Sequence, residues 1–194
     1  MGYPVKPLKR TQRDLVEAMV NLLRKEPFEK ITIDDVCDEA LVHRSTFYRY
    51  YHNKYELLES MLEYTAYIFF VEKGEPEDDR SFVTQFIKMI SQEPIIFRNL
   101  TINNEFFDSY SQLLDIVSQI ILKGITNQHE HDDLSHFPLF HSLANSKNVN
   151  LSVHIFSGEI LTVFMEWIKL DNSNEQTLTD MIDNLMHEFP PLCD

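Results

Sequence analysis

Glycine is scarce in this 194-residue chain, with four in all. That excludes the Gly-rich loops that cradle phosphates and argues against turn-dense all-β folds. Cysteine is scarcer still: only Cys37 and Cys193 occur. No disulfide scaffold is expected, and neither residue has zinc-type spacing. No run of ~18 apolar residues argues for a membrane span. The opening stretch MGYPVKPLKRTQRDLVEAM lacks the apolar core of a signal peptide. These absences leave the expectation of a cytoplasmic, mostly helical protein with no membrane partner. A chain of this length hides roughly 70% of its unfolded surface, so its core needs no covalent staple.

Basic residues are lacking too, but only in one part. Residues 1–60 carry ten Lys/Arg against ten Asp/Glu, and residues 61–194 carry seven against twenty-one. The whole net charge of −14 therefore lies beyond residue 60. A non-specific nucleic-acid binder is disfavoured, because phosphate neutralisation supplies that affinity. A neutral head with one basic face on an acidic body remains allowed, the body's charge serving solubility.

What is present is helical periodicity. Leu15, Ala18/Met19 and Leu22/Leu23 recur at helical spacing behind a candidate capping box, Thr11-Gln12-Arg13-Asp14, and Pro27 stops that helix. Thr32-Ile33-Asp34-Asp35 opens a short helix to about Glu39, with Val36, Cys37 and Ala40 inward. A third short helix starts at His43 or Arg44 and runs to Tyr51, and Asn53-Lys54-Tyr55-Glu56 leads a long fourth. Residues 73–79 read as a break. Further patterns cover 82–90, 94–100, 105–125, 149–170 and, behind Ser173-Asn174-Glu175-Gln176, a last helix to Phe189. The stretch 127–148 is polar and irregular. The expected fold is all-α with about nine helices. A three-helix head over residues 1–53 would precede a larger helical bundle over 54–194.

The run that carries information is KITIDDVCDEALVHRSTFYRYYHNKYELL, residues 30–58. Short helix, tight turn, second short helix and capped long helix make a helix-turn-helix, whose second short helix enters the major groove of double-stranded DNA. His43, Arg44 and Ser45 stand where side chains reach base edges, and Arg pairs bidentately with guanine. Thr32, Thr46, Tyr48, Arg49 and Lys54 are suited to phosphates flanking the groove. Phe47 and Tyr50 lie three apart, so one face can be buried while Arg44, Ser45, Tyr48 and Arg49 face outward. Tyr50 and Tyr51 are expected in the core, and Cys37 as a small buried filler.

This run is similar to the amino-terminal domain of the TetR family of bacterial transcriptional regulators. The resemblance rests on Thr32, Ile33, Asp35, Val36, Ala40, Val42, Arg44-Ser45-Thr46-Phe47-Tyr48, Tyr51, Asn53-Lys54 and Leu57-Leu58. The turn position usually held by Gly is Leu41 here. A positive φ is costly for Leu, so a slightly different turn is expected. The resemblance implies a homodimer that binds a palindromic operator, with the habit of a repressor. It also implies a body that holds a small-molecule inducer pocket and the dimer interface, ligand binding changing the spacing of the heads.

Twelve of the fourteen Phe and the single Trp lie beyond residue 60, which suits either a bundle core or an apolar pocket. The expected pocket residues are Phe97, Phe106, Phe107, Tyr110, Phe164 and Trp167, and the acidic body favours a small apolar or cationic ligand. The expected dimer seam is Ile155, Leu161 and Met165 on the penultimate helix with Leu178, Ile182 and Leu185 on the last. Gly158, in mid-helix, would mark a close approach. The long helix from Lys54 is expected to be the only element that carries a body event to the head. An alternative function is a TetR-fold coactivator that works through protein contacts without an inducer. No enzyme, metal or cofactor is expected. His129, His131, Asp132, Asp133, His136 and His141 cluster in sequence, but in no closed ligand spacing.

Overall fold

The computed structural model describes residues 8–73, 88, 90–101, 109–126, 138–170 and 174–188. Every regular element among them is helical: α1 Arg10–Leu23, α2 Ile33–Glu39, α3 Arg44–Tyr48, α4 Lys54–Lys73, α5 Pro94–Leu100, α6 Ser109–Thr126, α7 Pro138–Ala144, α8 Val149–Lys169 and α9 Glu175–Glu188. The chain divides into two compact units. One holds Pro4–Phe69 and Pro94–Ser109; the other holds Met1–Tyr3, Phe70–Glu93 and Tyr110–Asp194. The first unit thus runs past the expected boundary at residue 53 and takes back α5 from the second part of the sequence.

In the first unit Leu15, Met19, Leu23, Phe28, Ile31, Val36, Phe47, Leu57 and Leu58 form a fully buried core. The start of α1 differs from the expected Thr11 box. Gln12 Oε1 accepts from the Lys9 N–H at 3.3 Å, so the helix begins two residues earlier than that box would place it. The expected box on α2 is present: Thr32 Oγ1 accepts from the Asp35 N–H, and Asp35 Oδ2 accepts from the Thr32 N–H at 2.8 Å. Asn53 caps α4 through the N–H groups of Tyr55 and Glu56. Tyr51 is buried as expected, its hydroxyl 3.0 Å from Ser60 Oγ, whereas Tyr50, also expected in the core, is only half-buried, with Arg49 against its ring. Cys37 is buried, and burial raises its thiol pKa.

α5 packs on α1 in this unit. Pro94 opens it, which suits a residue with no N–H and a fixed φ. The buried Asn99 then closes the α1–α2 connection from outside. Its Nδ2 donates to Leu23 O at 2.7 Å, and its own carbonyl accepts from the Phe28 N–H at 2.8 Å. The last carbonyls of a helix lack internal partners, so Asn99 supplies what α1 cannot.

In the second unit Ile121 and Ile125 of α6, Phe140 of α7 and Val153 of α8 form one buried cluster, with Phe156 set edge-on to Phe140. α7 falls in the stretch expected to be irregular. Pro138 at its first position and the buried Phe140 explain it: one apolar anchor suffices to dock a two-turn helix that shows no long period. Asn148 caps α8 through the Leu151 N–H. α9 is capped by Asn174 with Thr177, one residue later than the expected Ser173 box, each side chain accepting from the other's N–H.

α8 is long and apolar enough, by length and composition, to cross a membrane. One face of it (Val153, Ser157, Leu161, Phe164, Trp167 and Ile168) is buried inside the unit. A helix with such a face is a core helix of a folded body.

Candidate DNA interface

The turn between α2 and α3 keeps its geometry despite Leu41. The Val42 N–H donates to Cys37 O at 2.9 Å, and the Leu41 N–H donates to Asp38 O at 3.2 Å. This is a complete Schellman closure, which needs a left-handed residue in the position after the cap. Leu41 supplies it at φ 55° and is 92% exposed. The expectation of a different turn is therefore corrected. Two helix-terminating hydrogen bonds outweigh a strain of about 1–2 kcal/mol, and full exposure spares the side chain any clash.

Phe47 anchors α3. It is fully buried, with the rings of Tyr48 and Tyr51 at 5.5 and 5.9 Å. A five-residue helix cannot hold itself, so this one aromatic fixes which side chains point out. His43, Arg44, Ser45, Tyr48 and Arg49 are exposed, Thr46 is half-buried, and Thr32 is exposed at the start of α2. Six of the eight expected DNA contacts thus share the α3 segment. Arg44 pairs with Asp34 and Tyr48, and Arg49 lies 5.8 Å from the Tyr50 ring centroid. The His43 side chain makes no capping bond.

Lys54 is placed differently from the expectation of a phosphate contact. Its Nζ donates to the carbonyls of Phe28, Glu29 and Ile31 at 2.8, 3.2 and 2.8 Å and sits 4.5 Å from the Phe28 ring centroid. Three carbonyls engage all three protons of the ammonium. Burial lowers the Lys54 pKa, as it does for a cation taken out of water. Its visible work is to clamp the α1–α2 connection to the start of α4. Asn99 holds the same connection, and the sequence reading missed it. A lone Asn inside an apolar run was the only signal.

Of the expected pocket residues, Phe97 belongs to the first unit, and Tyr110, Phe164 and Trp167 to the second. Phe106 and Phe107 lie outside the described residues. Trp167 is fully buried, and its Nε1 donates to Asn174 O at 2.9 Å and Thr177 Oγ1 at 3.1 Å. It pins α8 to the start of α9. Tyr110 Oη lies 3.4 Å from Gly158 O and 3.5 Å from Thr162 Oγ1. A Cβ on Gly158 would meet that hydroxyl at 3.3 Å, so the close approach at Gly158 is to α6.

The expected dimer seam also divides. Leu161, Leu178 and Ile182 are buried within the unit, where α8 packs on α9. Met165 is half-buried, and the Leu185 side chain lies outside the described residues. Among the described seam side chains Ile155 alone is open, 52% exposed, with Leu151 one turn away at 55%. The reason is geometric: a stripe on each helix satisfies its own neighbour first, and periodicity cannot say which apolar face is left over. Of the clustered histidines, His141 is exposed on α7; residues 129–136 lie outside the described residues.

Residues 15–61 match the sequence model of the family described as bacterial regulatory proteins, tetR family. Among solved structures, the protein titled dihydroxyacetone kinase operon activator DhaS is similar in fold. It has a TM-score of 0.52 and 16% identity, over 92% of this chain and 96% of that one. No curated protein sequence matches the chain significantly. The Schellman-closed turn, the α3 side chains turned outward and the family match over this segment make residues 15–61 a helix-turn-helix head of the tetR family of bacterial regulatory proteins.

Proposed function

We propose that the protein is a cytoplasmic, non-enzymatic repressor that binds a palindromic operator as a homodimer. The observation that carries this reading is the exposed set on α3, held in place by one buried Phe47. A reader this small is specific only in pairs, with half-sites about one helical turn, roughly 34–36 Å, apart. His43, Arg44 and Ser45 are assigned to base edges, and Thr32, Thr46, Tyr48 and Arg49 to phosphates. The partner subunit is assigned to the outward face of α8 at Leu151 and Ile155, since exposed apolar residues one turn apart make a helix seam. Release by a small apolar or cationic inducer is assigned to the neighbourhood of Tyr110 and Phe164. The long hydrogen bonds from Tyr110 Oη are weak enough for a ligand to replace. The path to the head is then assigned to α4, which runs from one unit into the other.

Selection of bound duplexes from a random pool tests the DNA reading, and a near-palindromic consensus is the expected result. Arg44→Ala should relax one base position by about 1–3 kcal/mol. Ile155→Lys should turn a sedimenting dimer into a helical monomer; an intact dimer would remove α8's outward face from the interface. A second reading is a coactivator that works through protein contacts without an inducer. Lys54's engagement with carbonyls and the Asp34–Arg44 pair favour it, because both reduce the positive charge offered to phosphate. The similar fold of an operon activator points the same way. Absence of any salt-dependent shift on selected DNA would decide for it.

A further inference from the structure

Arg44 is held before any DNA arrives. Its Nη1 donates to both carboxylate oxygens of Asp34, each at 2.8 Å, and its Nη2 donates to Tyr48 Oη at 3.2 Å. The guanidinium carbon lies 5.7 Å from the Tyr48 ring centroid. Two helices thus converge on one guanidinium at the reading end of α3.

Asp34 takes no part in the capping hydrogen bonds of α2. The start of α2 is closed by Thr32 and Asp35. The Asp34 and Arg44 side chains are 64% and 56% exposed, so their pair adds little stability in water. Neighbouring acids have structural partners: Asp35 closes the cap, and Glu39 takes Lys25 Nζ at 3.1 Å and Asn21 Nδ2 at 3.2 Å. A carboxylate at the DNA-facing end of a reader opposes phosphate. Its effect is therefore on which DNA is bound. Arg binds phosphate and guanine with the same fork of donors, so an uncommitted Arg44 would take either.

We propose that Asp34 is a specificity-determining positioning residue: by holding Nη1 of Arg44 it presents Nε and the Nη2 hydrogen that Tyr48 does not take to the O6/N7 edge of one guanine and cancels the charge that would let Arg44 settle on any phosphate. This rests on Arg44 as a base reader. Phosphate offers charge without a fixed plane, so it loses most when the guanidinium is neutralised and fixed. Guanine offers two coplanar acceptors, so it gains most.

The test uses the full chain and a randomised duplex pool, followed by salt titrations on one selected duplex and one unselected duplex. Asp34→Asn should steepen the salt slope on the unselected duplex by about one unit per subunit, as each freed Arg44 neutralises one more phosphate. It should also lower the preference for one guanine per half-site by about fivefold or more. Asp34→Glu keeps the charge but moves the carboxylate by one methylene; it should restore the salt slope and not the base preference. Arg44→Ala should relax the same position. If Asp34→Asn strengthens binding to all sequences alike with the base preference intact, Asp34 is only a repelling charge and the proposal fails while Arg44 stands. If Arg44→Ala leaves every position unchanged, the reading of Arg44 itself fails. Should Asp34→Asn lose helix content, Asp34→Glu decides alone, and an unchanged preference overturns the proposal.

Discussion

The two units are closed by different means. Around the α1–α2 connection the backbone is gripped by polar groups: Lys54 on three carbonyls, Asn99 on a carbonyl and an N–H, and the Thr32–Asp35 box. Around α8 the grip is mainly apolar, the Trp167 Nε1 hydrogen bonds apart, with one face buried against its neighbours and Leu151 and Ile155 left outside. Hydrogen bonds are directional, so a head built on them presents its surface in one orientation. Apolar contact is not directional, so the body's stripes can serve the core, a partner copy or a ligand. The head is suited to reading a fixed lattice of base edges, and the body to exchanging one apolar neighbour for another.

Breaking the single apolar anchor of α3 should have the largest effect. Phe47→Ala is expected to cost about 3–5 kcal/mol, seen as loss of the first unit's cooperative unfolding in urea. Retained stability would mean that α3 is held by polar contacts after all. Lys54→Met comes next. It leaves three carbonyls without their donor, at about 2–3 kcal/mol. Its salt slope on selected DNA should stay at the wild-type value; a slope flatter by about one unit would return Lys54 to the phosphate contacts.

A smaller effect, of opposite sign, is expected at Leu41. Leu41→Gly should stabilise the head by up to about 1 kcal/mol, since it relieves a left-handed φ at the expense of unfolded-chain entropy. The thermal midpoint checks it. The smallest effect concerns acid. Hydrogen bonds from the Thr32 side chain and backbone hold Asp35 below the usual Asp pKa, and the His52 N–H does the same for Glu56. Both carboxylates have lowered folded values. Their stabilisation is complete above the unfolded values, about pH 4, and is lost as pH falls through the folded ones. A thermal series from pH 6 to 3 should therefore fall at its acid end, and Asp35→Asn should shallow that fall.

The head was legible because its signals are local. A capping box spans four residues, a helix-turn-helix turn spans four, and Phe47 with its outward neighbours lies within one short helix. The roles of Lys54 and Asn99 were not legible, because their partners lie 23 to 76 residues away along the chain. Lys54 looks the same in sequence whether it meets a phosphate or three carbonyls. α7 was missed because one buried Phe140 leaves no period to read.

The sequence by itself determined most of the described helices, the Thr32 and Asn53 starts, the family of the head and the set of side chains on α3. These follow from backbone hydrogen bonding and side-chain spacing within a few turns. Only the tertiary structure decided that α5 joins the head, that Trp167 pins α8 to α9 and that Leu161, Leu178 and Ile182 are internal. It also decided that Asp34 claims Arg44. Each of these is a choice among chemically equivalent partners, and the choice is made by which groups the packed chain brings within hydrogen-bonding or van der Waals reach.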